Sequence, residues 1–193
     1  MTINIVGVGG TLRGDSSSAK ALRFCLDHAA RRGASTSLFT NDDLRLPLYE
    51  PGGEPAPLAA ELIAALRGAD GILLASPGYH GSISGVLKNV LDYTEEMAAD
   101  PACYFEGRAI GCIVTAAGWQ AAGSTLAALR SIVHALRGWP TPLGVMINST
   151  EPAFAPDGAC VAPATAASLA AMTDQVLEFA AMRRAVAARA EAA

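Results

Sequence analysis

Apolar residues follow two alternating rhythms along this chain. Five short runs, Thr2–Val8, Ser35–Thr40, Gly71–Ser76, Ala109–Thr115 and Leu143–Ile147, are nearly continuous in apolar residues or alternate with small polar ones. That is the pattern of short strands, several of them buried on both faces of a parallel sheet. Between and after the runs, apolar positions recur every three or four residues: Leu22, Cys25, Leu26 and Ala29; Leu58, Leu62, Ile63 and Leu66; Leu87, Val90 and Leu91; Leu126, Leu129, Val133 and Leu136; Leu169, Met172, Val176 and Phe179. Each set predicts a helix that buries one stripe. The first helix begins near Ser16–Ser18 and stops at Gly33, after Arg31 and Arg32, whose charges suit the negative end of the helix dipole. The last, rich in alanine, is long enough to extend past a sheet. No internal repeat is present.

Strands alternating with helices predict βαβ units. With 193 residues, the chain reads as a single α/β domain over residues 1–193. The expected architecture is three-layered and flavodoxin-like, a five-stranded parallel sheet in the order 2-1-3-4-5 with helices on both faces. Such sheets bind ligands at the carboxyl ends of strands where the order reverses. The loops after the first, third and fourth strands are therefore the places to search for chemistry. Two further loops, "NDDLRLPLYEPGGEPAP" after the second strand and "NSTEPAFAPDGACVAP" before the last helix, are longer than compact domains usually use, which marks functional or subunit-facing segments.

Composition narrows the function. A net charge of −4 argues against nucleic-acid binding, which draws on many Lys and Arg contacts to phosphate. No segment has the roughly 18 apolar residues of a membrane span, and the amino terminus runs directly into strand-like sequence without a leader, so a cytoplasmic location is expected. Cys25, Cys103, Cys112 and Cys160 are scattered without metal-ligand spacing. They read as reduced, mostly buried thiols, and no metal site is expected.

The first loop, "GGTLRGDSSS", has the parts of an anion site. Backbone N–H groups surround Gly9 and Gly10, hydroxyls stand at Thr11, Ser16, Ser17 and Ser18, and a positive helix end lies behind them. Arg13 adds a planar fork suited to phosphate oxygens. A nucleoside triphosphate is excluded, because no GxxxxGK[ST] is present. A dinucleotide fits less well than a mononucleotide: Gly7 and Gly9 supply GxG, but Leu12 stands at the third glycine position. The third-strand loop, "SPGYHGSIS", offers Tyr79 to an aromatic face. Pro77 is expected to end the strand, glycines allow close backbone approach, and Ser82 or Ser84 is expected to cap the next helix.

Gly10–Ser18, the "LPLY" of residues 46–49 and "PGYHGSISGVLKNVLD" of residues 77–92 together resemble the NADPH-dependent FMN reductase family, which has the flavodoxin-like fold. "TPLGVMINSTEPAF" is similar to the corresponding segment of sulfonate-linked flavin reductases. The resemblance implies that Thr11, Arg13, Ser16 and Ser18 hold the FMN phosphate and that Pro77, Tyr79, His80, Gly81 and Ser82 line the isoalloxazine ring. Gly118 and Trp119, in the fourth-strand loop, would stand at the ring edge or the entrance. Lys88, Asn89 and Asp92 match the family's helix but read as structural. The family usually has an acidic residue where this chain has Gly78, which predicts a looser turn.

On this reading a hydride passes from NADPH or NADH to FMN, and no side chain acts as catalytic acid, base or nucleophile; backbone donors near Gly81 and Ser82 stabilise charge on the ring. Electrons leave as reduced FMN, for instance to a flavin-dependent monooxygenase. One alternative is a reductase of quinones, azo compounds or metal oxyanions that keeps its FMN. The other is a flavodoxin-type electron carrier, against which Arg13 and the modest charge both speak. By resemblance the chain forms a homodimer or homotetramer.

Overall fold

The computed structural model describes residues 2–191. Ile5, Val6 and Val8 leave no surface to solvent in β1 (Asn4–Val8), a strand covered on both faces. It pairs in parallel with β2 (Ser35–Phe39) on one side and β3 (Gly71–Tyr79) on the other. The chain then turns back into a two-residue antiparallel β4 (Ser82–Ile83). β5 (Ala109–Ala116) runs parallel to β3, and its free edge carries two short parallel strands, β6 (Trp139–Pro140) and β7 (Val145–Asn148). The expected order 2-1-3-4-5 is present, with the fifth strand broken in two. The break has a local cause: Thr141 still donates its N–H to the Ile110 carbonyl at 3.0 Å, but the next inward-facing N–H, that of Leu143, donates to Gln175 Oε1 at 3.1 Å, and pairing with β5 resumes only at Val145.

Helices cover both faces. α1 (Ser17–Arg31) and α5 (Pro163–Glu191) pack on one side of the sheet through Leu22, Cys25, Leu169, Met172 and Val176. α2 (Pro57–Arg67), α3 (Gly85–Asp92) and α4 (Trp119–Ala135) pack on the other through Leu62, Ile63, Leu87, Val90, Leu129 and Val133. Leu58 departs from the expected stripe. It is exposed in the first turn of α2, and Ala59 takes the inward place. Pro77 also departs from expectation, because β3 continues through it to Tyr79. Pairing of β3 with β1 ends at Leu74, so beyond that point one edge of β3 is free and a residue without an N–H is tolerated.

α1 and α5 are joined at the sheet's amino edge by charge. His28 Nε2 and Arg32 Nη2 lie 2.8 and 3.0 Å from Asp174 Oδ1. Partial burial pushes the Asp174 carboxyl up, but the hydrogen bonds from His28 and Arg32 outweigh it and hold the group below its ordinary value. A carboxyl depressed in the folded state adds stability above its unfolded pKa, and that contribution is lost as pH falls through the folded pKa. Asp174→Asn is therefore expected to lower the melting temperature at neutral pH, with the gap to the parent protein narrowing as pH is taken down through the carboxylate range. A gap that stays constant in a melting series over that range contradicts this linkage.

Candidate functional site

The loops that follow β1, β3, β5 and β7 meet at one edge of the sheet, where the strand order reverses between β1 and β3. They enclose a cleft of about 330 Å³ lined by Thr11, Arg13, Asp15, Ser16, Ser17, Ser18, Pro77, Gly78, Tyr79, Thr115, Ala116, Ala117 and Ser149. A larger hollow, about 440 Å³, lies at the opposite edge beside Ile3 and Leu177. Its Arg32 and Asp174 are bonded to each other, so the chemistry of an anion site resides in the smaller cleft.

The first loop is clamped at its root. Gly9 donates its N–H to the Phe39 carbonyl at 2.9 Å. At Gly10 a Cβ would lie 2.9 Å from the Ala75 oxygen, 3.0 Å from Ser84 Oγ and 3.1 Å from Ser76 Cα, so only glycine fits. Beyond it the loop opens to the cleft. Ser16 caps α1 by accepting from the Ala19 N–H at 3.1 Å, and its hydroxyl lies 3.2 Å from that of Ser18. The backbone N–H groups of Ser16, Ser17 and Ser18 have no partner among the described residues, nor has the Arg13 guanidinium. Uncommitted donors at the positive end of a 15-residue helix, beside an unpaired guanidinium, form an anion cradle.

The second wall is a hairpin. His80 and Gly81 both have positive φ, +52° and +82°, as in the type I′ turns whose twist suits two-residue hairpins. Tyr79 faces Ser82 across it, and the Tyr79 ring is half exposed at the cleft. His80, Gly81 and Ser82 sit on the turn just outside the cleft lining. Ser84, not Ser82, caps α3, and it does more than cap. Its buried hydroxyl donates to the Gly10 carbonyl at 2.6 Å and accepts from the Leu87 N–H at 3.1 Å, while its own N–H donates to Ser76 Oγ at 3.0 Å. One side chain thus joins the anion loop to the hairpin. Ser84→Ala is expected to cost about 1–2 kcal/mol in denaturant unfolding and to weaken ligand binding at the cleft, with Ser84→Thr closer to the parent protein. Equal effects of the two substitutions contradict the hydroxyl's role.

Gly78 does not loosen the turn, contrary to the sequence-based expectation. It lies within the paired strand, and a Cβ there would approach Thr125 Oγ1 to 2.7 Å and Ala116 Cβ to 3.1 Å. Thr125, from α4, also donates weakly to the Ser82 carbonyl at 3.4 Å. An acidic side chain is excluded by close packing.

The third wall depends on Asn148. Its Oδ1 accepts from the Gly118 N–H at 3.0 Å and from the Thr150 hydroxyl at 2.9 Å, and its Nδ2 donates to Glu151 at 2.9 Å. Gly118 begins α4 with φ +114°, a conformation that favours glycine. Trp119 follows, 54% exposed, and faces two shallow hollows toward α5 rather than the cleft. Thus Thr11, Arg13, Ser16, Ser18, Pro77 and Tyr79 converge on the cleft, whereas His80, Gly81, Ser82, Gly118 and Trp119 lie around its rim or beyond. Asp15, Thr115 and Ser149 also line it, and Ser84 and Asn148 hold its walls; none of these five was singled out for that role from sequence. Asn148 carried a readable signal, a strand end followed by Ser-Thr, where an Asn side chain commonly bonds the backbone two residues on. Lys88 and Asp92 form an ion pair on α3, and Asn89 fixes the "LPLY" loop by accepting from the Tyr49 N–H at 2.9 Å.

The family profile described as NADPH-dependent FMN reductase matches residues 3–152. An NAD(P)H-dependent FMN reductase of Pseudomonas aeruginosa is 30% identical over 161 residues, 81% of this chain and 83% of that protein. An FMN-dependent NADPH-azoreductase of Staphylococcus aureus is 36% identical over 90 residues, 47% of this chain and 44% of that one. Among solved structures, the apo form of an NADH:FMN oxidoreductase superposes with a TM-score of 0.69 at 22% identity, covering 94% of this chain and 90% of that one. A flavodoxin-like protein of Agrobacterium tumefaciens gives 0.65 at 15% identity, with coverages of 95% and 99%. The structural likenesses establish the flavodoxin-like fold, and the profile and the Pseudomonas relative establish more: the chain belongs to the NADPH-dependent FMN reductase family, oxidoreductases that work with FMN and a reduced nicotinamide donor.

Proposed function

We propose that the cleft binds FMN, with Thr11, Arg13, Ser16 and Ser18 on its phosphate and Pro77, Tyr79, His80, Gly81 and Ser82 along its ring, Gly118 and Trp119 standing at the far rim. The observation that carries this reading is the uncommitted set of N–H groups at Ser16, Ser17 and Ser18 with the unpaired Arg13 in one cleft. When bound, FMN supplies the redox chemistry, taking a hydride from NADPH or NADH and passing electrons onward. The chain supplies placement. Arg13 offsets phosphate charge with a planar fork, the α1 amino terminus adds its dipole, and the hairpin presents the Tyr79 ring and the backbone donors of Gly81 and Ser82. No side-chain acid, base or nucleophile is needed.

Release of reduced FMN, for example to a flavin-dependent monooxygenase, is the favoured outcome; transfer to a quinone, azo compound or metal oxyanion is the second reading, supported by the similarity to an FMN-dependent NADPH-azoreductase. A non-enzymatic carrier loses to the family assignment. A homodimer or homotetramer is supported by apolar surface left on Trp139, Met182 and Val186, and a cytoplasmic setting by four free cysteines. Calorimetric titration with FMN and with riboflavin tests the site: FMN is expected to bind at least tenfold more tightly, as a charge-assisted phosphate contact requires. Equal affinities would remove the phosphate assignment. Saturation of the steady-state rate in added FMN separates release from retention.

A further inference from the structure

A carboxylate stands in the anion cradle. Asp15 lines the same cleft as Arg13 and Ser16–Ser18, and among the described lining residues these two carry the only side-chain charges, one of each sign. The Asp15 side chain is 79% exposed and holds Lys20 Nζ at 2.9 Å. Lys20 is 15% exposed and does not line the cleft. It also donates to the Ala155 carbonyl at 3.2 Å, which ties the segment after β7 to the start of α1. The cradle therefore has strong directional donors but no net side-chain charge on its walls, and the nearby Lys20, outside the lining, is spent on the carboxylate.

We infer that Asp15 sets the affinity of this cleft for phosphate low, so that the flavin exchanges instead of remaining resident, and that Lys20 limits the repulsion by holding the carboxylate. The inference rests on the reading of the cleft as the FMN phosphate site and specifies how that site is tuned. A like charge beside a phosphate dianion weakens binding, and exposed charge pairs interact by amounts equivalent to a few-fold in affinity per charge. Asp15→Asn removes the repulsion and keeps the side-chain shape. It is expected to tighten FMN binding about three- to tenfold and to slow FMN release, with riboflavin affinity unchanged. Lys20→Gln unmasks Asp15 and is expected to weaken FMN binding, again without effect on riboflavin. Opposite signs from two bonded partners are not the signature of a merely structural pair.

The test is a fluorescence titration of the parent protein, Asp15→Asn, Asp15→Ser and Lys20→Gln with FMN and with riboflavin at low ionic strength. A ratio of FMN to riboflavin affinity that rises in both Asp15 variants and falls in Lys20→Gln supports the inference. A parent protein that prefers FMN while the Asp15 variants keep or lose that preference overturns it and leaves the cleft assignment standing. A parent protein that does not distinguish the two flavins overturns the assignment itself. The high exposure of Asp15 means that neither replacement at that position removes a packed group.

Discussion

Gly10→Ala is expected to destabilise the protein by about 3 kcal/mol, the upper part of the usual range for overpacking, and to abolish measurable FMN binding. The added methyl meets the Ala75 carbonyl and the Ser76 Cα, both backbone atoms of β3, and the Ser84 hydroxyl that bonds Gly10's own carbonyl. None of these yields cheaply. β3 is paired with β5 through Ala75 and Ser76, and Ser84 is held from three directions. Relief must come from the loop itself, which carries Thr11, Arg13 and the α1 donors away from the hairpin. Gly14→Ala is the control, because nothing lies within 4 Å of a Cβ there. Denaturant unfolding with an FMN titration of both variants decides the matter, and parent-like stability in Gly10→Ala would show that the joint between the two loops is loose.

Arg13→Ala carries the second large effect, on binding alone. Its guanidinium makes no hydrogen bond or ion pair with a described residue, so the fold should not register its loss. A charge-assisted contact to phosphate contributes about 1.5–3 kcal/mol, a weakening of FMN binding by roughly 10- to 150-fold. Riboflavin affinity should hold, and Arg13→Lys should fall between, since an ammonium keeps the charge but not the bidentate fork. Calorimetry with both flavins gives the answer; an Arg13→Ala protein that binds FMN as the parent does would move the phosphate elsewhere.

How much of this was legible in the sequence follows the range of the interactions. Strands showed as short apolar runs and α1 as a capped periodic stripe, because Ser16, Leu22, Cys25 and Ala29 obey local rules. Sheet order and the site's edge followed from the alternation of five strands with helices, which fits the flavodoxin-like order, and from the rule that such sheets bind ligands where that order reverses. The β4 hairpin did not show. Pro77 reads locally as a strand end, and only the retreat of β1 at Leu74 makes room for it. Gly78 read as slack, yet Thr125, 47 positions along the chain, fills the space beside it. Asn148 reaches back to Gly118 and Ser84 to Gly10. Side chains that hold two loops together are specified by the fold, and spacing within one loop cannot reveal them.

The most direct test of the account is anaerobic stopped-flow: the protein with FMN bound is mixed with NADPH, and separately with NADH, while the flavin absorbance is followed. Rapid bleaching by at least one donor is the predicted result and identifies the donor the site prefers. Flavin that binds but stays oxidised with both would contradict a nicotinamide-driven reductase and return the chain to the role of an electron carrier.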